Sequence, residues 1–143
     1  MPIVIAANEL ESLFDALPDV VFFVKDTAGR YTHANLTLVR RLGLKRRAQV
    51  IGHGVAELFP AHMGGSYAAQ DRRVLAGETV EDQLEVHIFP NRAPGWCLTR
   101  KHPLRVRGKV RGVIWKTLRK CRSSWASDTP ANSANFAMRT LSA

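Results

Sequence analysis

The sequence predicts an α+β domain, a five-stranded antiparallel sheet with short helices packed on one face and a tail beyond it. Three observations carry this. Residues 20–24 (VVFFV) are β-branched and aromatic, too few for a helix and right for a buried strand, and a tight turn follows them at once. Three strand-like segments, at 79–88, 96–106 and 110–118, then follow one another after a helical middle. The helical patterns are short and bounded, and helices segregated from a run of antiparallel strands cover one face of the sheet.

Taken in order, residues 8–11 (NELE) read as a capping box with Asn8 at the N-cap and Glu11 three residues on. Leu10, Leu13, Phe14 and Leu17 fall at i, i+3, i+4 and i+7, one apolar stripe on a helix that Pro18 ends. After the first strand, Asp26-Thr27-Ala28-Gly29 closes a hairpin in which Gly29 supplies a positive φ. The chain returns through residues 30–33 to Asn35, an N-cap for a helix carrying Leu36, Leu38, Val39 and Leu42 and stopped by Gly43. The basic triplet at residues 45–47 reads as a solvated loop.

Val50-Ile51 is stopped by Gly52, and Leu58-Phe59 by Pro60. Gly64-Gly65-Ser66 lacks the Lys-Ser/Thr of a phosphate loop and reads as a flexible lead-in to a helix over 66–76, with Tyr67, Val74 and Leu75 inward and Gly77 at its end. In the next strand Val80, Leu84, Val86 and Ile88 share one face, and Glu81, Gln83, Glu85 and His87 the other. Residues 90–95 are turn-rich. Trp96, Leu98, Leu104 and Val106 keep even spacing, Gly108 turns the chain, and the last strand follows.

This order of elements resembles a PAS domain, the small sensory module of signalling proteins, over residues 8–118. The resemblance rests on the strand, D-x-x-G turn, Asn35 and short helix, on Ile51-Gly52 and on Leu58-Phe59-Pro60. It continues in DRRVLAGE (71–78), WCLTRKHPL (96–104) and GVI (112–114). It implies an input and dimerisation domain, with the leading helix (Leu10, Leu13, Phe14, Leu17) either meeting a partner subunit or folding back on its own sheet. The wording is similar to PAS domains fused ahead of AraC-type transcription regulators. After GVI the chain departs from the family's usual Gly-Ile-Ser-Arg-Asp, which predicts a frame shift or truncation near residues 114–115 and a disordered basic tail over 119–143.

At 143 residues and 45% hydrophobic, the chain is one domain by length, with residues 1–7 as a leading segment. No apolar run approaches the roughly 18 residues of a membrane span, and Cys97 and Cys121 stand in no metal-like spacing. A cytoplasmic location is expected. The net charge of +9 is lopsided: residues 1–90 hold nine Lys/Arg against eleven Asp/Glu, and residues 91–143 hold twelve against Asp128 alone. A solvated basic strand face plus tail is the plain reading. The alternative is a nucleic-acid-binding protein using Arg100, Lys101, Arg105, Arg107, Lys109, Arg111, Arg119 and Lys120, though no helix-turn-helix, RNP or zinc-finger pattern accompanies them.

Catalytic and metal chemistry find no pattern. His33, His53, His62, His87 and His102 show no ligand spacing and read as surface or loop residues. Residues 66–76 lack the helix histidine of haem-binding PAS domains, and neither cysteine sits in the photoreactive flavin motif, so haem and flavin are disfavoured and the cofactor stays unknown. No nucleophile motif occurs, and Glu81, Asp82 and Glu85 read as exposed strand charge, so no enzyme is expected. What remains is a space between sheet and helices. Its lining residues would be Phe22, Val24, Val39, Leu42, Ile51, Leu58, Val74, Leu84, Trp96, Leu98 and Ile114, either filling a core or taking a small apolar ligand. The expected protein is a homodimeric sensory input domain for transcription regulation, meeting nucleic acid only through an output domain or its basic tail.

Overall fold

The structure, a computed structural model, describes residues 3–88 and 94–119. Its elements run α1 (Ala7–Asp15), β1 (Val20–Asp26), β2 (Tyr31–Ala34), α2 (Leu36–Arg41), a 3-10 turn (Arg47–Gln49), α3 (Val55–Leu58), α4 (Ala61–Leu75), β3 (Val80–Ile88), β4 (Pro94–Val106) and β5 (Lys109–Arg119). The strands form one antiparallel sheet in the order β2-β1-β5-β4-β3, as the fold class predicts. The first and last strands pair at its centre, from Val20 opposite Leu118 to Asp26 opposite Gly112. Among the described residues β3 is an edge strand, with β4 its one neighbour.

Local chemistry fixes the turns. In the β1–β2 hairpin Gly29 takes φ +76°, and Asp26 Oδ1 accepts from the backbone N–H groups of Ala28 and Arg30. Asn35 caps α2 as expected and does more. Its Oδ1 accepts from the N–H groups of Leu38 and Phe22, and its Nδ2 donates to the carbonyls of Phe14 and Val20. One fully buried amide thereby ties α1, β1 and α2 together with its bonding capacity filled.

The leading helix begins earlier than its expected Asn8 cap. It starts at Ala7, and the Ala6 N–H donates to Glu9 Oε2. Glu11 is thereby released to accept from Ala34 N–H, and Asp15 Oδ1 accepts from Leu36 N–H. Arg47, expected to be solvated, closes the arrangement: its Nε donates to the Ala34 carbonyl and its Nη2 to Asp15 Oδ2, at 2.7 and 2.6 Å. Phe14 is no free dimer residue, because its ring stacks on Phe22 with centroids 4.1 Å apart. Leu10, Leu13 and Leu17 stay exposed.

α4 is longer than the expected 66–76 helix. It runs from Ala61 and includes the glycine pair read as a lead-in, with Gly64 lying against the Val55 carbonyl of α3. The apolar core lies under α2 and α3. Val21, Phe23, Tyr31, Leu38, Val39, Val50 and Trp115 form it, and the Phe23 ring meets Tyr31 and Trp115 edge-on. The expected tail, apart from the end of β5, lies outside the described residues, as does most of the turn-rich stretch at 90–95.

Candidate functional site

The inner face of the sheet is not the one that hydrophobic alternation selects. On β1 the inward residues are Val21, Phe23 and Lys25, so Phe22 and Val24 face the other way, Phe22 beneath α1. On β4 the buried residues are Cys97, Thr99 and Lys101, which turns Trp96 and Leu98 outward; on β5 they are Val113 and Trp115, which turns Ile114 outward. On β3 the face changes within the strand. Val80 is opposite Lys101, but Gln83 is opposite Thr99 and Glu85 opposite Cys97, so one extra residue is inserted after Val80. Asp82 takes φ +48° there and is held by Arg100 through two hydrogen bonds of 2.6 and 2.9 Å. Beyond the bulge, Glu85 and His87 point in, whereas Leu84 is 57% exposed and Val86 38%.

Of the eleven residues expected to line the space, Val39 and Val74 are buried and Leu42, Ile51 and Leu58 pack against the core under the helices. Phe22, Val24, Leu84, Trp96, Leu98 and Ile114 lie on the far face of the sheet, where Phe22 packs under α1, and none lines the space between the sheet and α2, α3 and α4. The reason is that part of the inner face is polar, carrying Lys25, Glu85, His87, Thr99 and Lys101. Neither Glu85 nor His87 is the surface group expected of it, and Lys101 is no phosphate-facing cation.

The polar side chains converge between α4 and strands β1, β3, β4 and β5. Asp71 of α4 accepts from two buried ammonium groups, Lys25 Nζ at 2.5 Å and Lys101 Nζ at 2.8 Å. Lys25 Nζ also lies 4.5 Å from the Tyr31 ring centroid, and Lys101 Nζ lies 5.6 Å from that of Trp115. Burial pushes the Lys25 amine down to about 8 despite Asp71. Next to this triad, Glu85 accepts from the Gln70 amide and from Thr99 Oγ1, with His87 Nε2 3.4 Å away. Burial pushes the Glu85 carboxyl up, but these hydrogen bonds and Lys101 outweigh it and hold it below the usual range. The His87 ring lies between Tyr67 and Trp115, at 5.9 and 5.4 Å. Burial raises both Tyr31 and Tyr67 well above ordinary phenols.

Among the described residues, two buried polar atoms in this cluster have no partner, Gln70 Oε1 and Trp115 Nε1. One accepts and the other donates, and each left so costs about 1–3 kcal/mol. The site therefore offers a waiting acceptor and a waiting donor beside charged groups and aromatic walls. That suits a small polar molecule better than the apolar ligand the sequence suggested. Among the described residues no group of His, Cys, Asp and Glu is arranged to hold a metal, and no helix is long and apolar enough to cross a membrane.

Sequence reasoning passed over Lys25, Gln70, Asp71 and Thr99. One signal was present: a lone lysine at the end of an apolar strand and an aspartate on the inner stripe of a helix that also carries Tyr67 and Val74.

Comparison with known proteins places the chain. The model of the PAS fold matches residues 14–117. A structure described as VqmA bound to DPO is 30% identical over 78% of this chain and 57% of its own, with a TM-score of 0.67. The Vibrio cholerae VqmA dimer, described without its target DNA among LuxR-type receptors, is 28% identical over 82% of this chain and 52% of its own, with a TM-score of 0.69. A phage VqmA–DPO complex is 26% identical over 94% of this chain and 58% of its own, with a TM-score of 0.66. The chain thus spans just over half the length of these VqmA chains. A search of curated proteins finds no match. With its strand order, its capped α2 and a family match over residues 14–117, which touches all five strands, the chain belongs to the PAS family.

Proposed function

We propose that the chain is a non-catalytic PAS input module for transcription regulation, taking one small polar molecule into the cluster around Asp71. The observation that carries the reading is the pair of unpartnered buried atoms, Gln70 Oε1 and Trp115 Nε1, set beside a balanced group of buried charges. An apolar core would leave no such atoms, since buried polar groups find partners almost everywhere in native proteins. The likeness to VqmA, whose structures are described with DPO and with DNA, supports a small-molecule sensor in gene control. It favours a LuxR-type over the AraC-type setting suggested by the sequence. A cytoplasmic homodimer using the exposed Leu10, Leu13 and Leu17 of the α1 region is part of the proposal. The ligand would act by favouring one arrangement of sheet and helices over another.

Native mass spectrometry of the full chain, purified without denaturant and then incubated with DPO, tests this. The expected spectrum shows a dimer carrying one small molecule per chain. Bare chain in both samples would overturn the ligand reading.

A further inference from the structure

We propose that β3 has two stable registers against β4, and that the bulge at Asp82 switches between them. In the observed register the bulge puts Glu85 opposite Cys97 and Leu84 opposite Leu98. The inner face then receives Glu85 and His87, and Leu84 and Val86 stand in solvent on the outer face beside Trp96 and Leu98.

Removing the bulge, while Val80 stays opposite Lys101, slides the rest of the strand by one residue. Leu84 would then face Cys97, and every side chain beyond Asp82 would change sides. Val80, Leu84 and Val86 would share the inner face, with Asp82 between them opposite the inward Thr99, and Glu85 and His87 would go to water.

Three features of the fold make such a slide feasible. β3 is an edge strand, so only its pairing with β4 must be rebuilt. The bulge is exposed and hinges on a non-glycine residue at positive φ, held by a surface ion pair with Arg100. The two registers also have opposing merits. The observed one keeps Glu85 bonded to Gln70 and Thr99 but leaves two large apolar residues in water; the other buries those two, frees Glu85 and brings Asp82 in beside Thr99 in its place.

A polar ligand beside Gln70 and Trp115 favours the first register, which carries Leu84 and Val86 on the outer surface. Occupancy would thereby be reported as an apolar patch on the far side of the sheet. This consequence rests on the proposed ligand; the register exchange does not.

Interstrand backbone NOEs in the isotope-labelled full chain read the register directly. Asp82→Val disfavours the positive φ and removes the partner of Arg100, and Glu85→Arg places a cation against Lys101. Each is expected to fold with Leu84 opposite Cys97. Deleting residue 82 restores regular pairing with Glu85 still inward and is expected to keep Leu84 opposite Leu98. Either point variant folding with Leu84 opposite Leu98, or both failing to fold, overturns the proposal. None of these readings requires a ligand, so failure here leaves the ligand proposal standing on its own test.

Discussion

Asp71 is the group whose loss the buried cluster should feel most. It is 5% exposed and is the shared counter-ion of Lys25 and Lys101, each almost wholly buried. Asp71→Asn keeps the shape and one acceptor oxygen but leaves two ammonium groups facing each other in a medium of low polarity. Breaking a buried ion pair from one side typically costs about 3–5 kcal/mol. A domain of this size holds only about 5–15 kcal/mol in total. The variant is therefore expected to lose about 3 kcal/mol or more in urea unfolding at pH 7. The loss should shrink at pH 9, because the Lys25 amine, already pushed down to about 8, can shed its proton. Replacing the triad by Lys25→Met, Asp71→Leu and Lys101→Met together with Glu85→Gln removes all the buried charges at once and should be neutral or stabilising by up to about 4 kcal/mol. A loss below about 1 kcal/mol for Asp71→Asn would refute the reasoning, since it would mean that water reaches the triad and the charges are not desolvated.

Other expectations follow from the same geometry. Lys25 titrates lower in the folded chain than in the unfolded one, so the unfolded state binds more protons between about pH 8 and 10.5 and stability rises through that window. Above about pH 10 the raised Tyr31 and Tyr67 withdraw stability, and Lys25→Met should abolish the rise while keeping the fall in pH-dependent urea melts. Asn35→Ala removes an N-cap and leaves the Phe14 and Val20 carbonyls without its amide, a loss of roughly 3 kcal/mol by the same assay. Arg47→Ala should leave the sheet intact and speed hydrogen exchange of α1 amides, because the guanidinium joins Asp15 to the Ala34 carbonyl. Gly112→Ala should cost about 1–3 kcal/mol in urea unfolding, since a Cβ there would overlap the Lys25 carbonyl.

The sequence made the framework legible because the framework is local. Asp26-Thr27-Ala28-Gly29, Asn35 and Gly43 each act within a few residues, and the turn, cap and stop are where they were expected. The facing of the strands was not legible. Alternation says which residues share a side, and assigning the apolar set inward assumes that the interior is apolar. Here the larger apolar cluster lies under α2 and α3, with a small one of Val74, Val80 and Val113 against α4. Next to α4 the inner positions of β1, β3 and β4 are Lys25, Glu85, His87, Thr99 and Lys101, which are tolerable because they satisfy one another across elements far apart in the chain. The bulge at Asp82 left one trace in residues 80–88, an aspartate on the face shared by Val80, Leu84 and Val86, but the group that stabilises the extra residue, Arg100, lies on the next strand.

The proposed receptor is the buried polar cluster, and the indole N–H of Trp115 reports on it most directly. In the isotope-labelled full chain titrated with DPO, its resonance should move downfield as the unpartnered donor gains an acceptor, with the outward-facing Trp96 indole unmoved. A Trp115 indole that stays in place at saturating DPO, or shifts confined to Trp96 and the outer face, would contradict it.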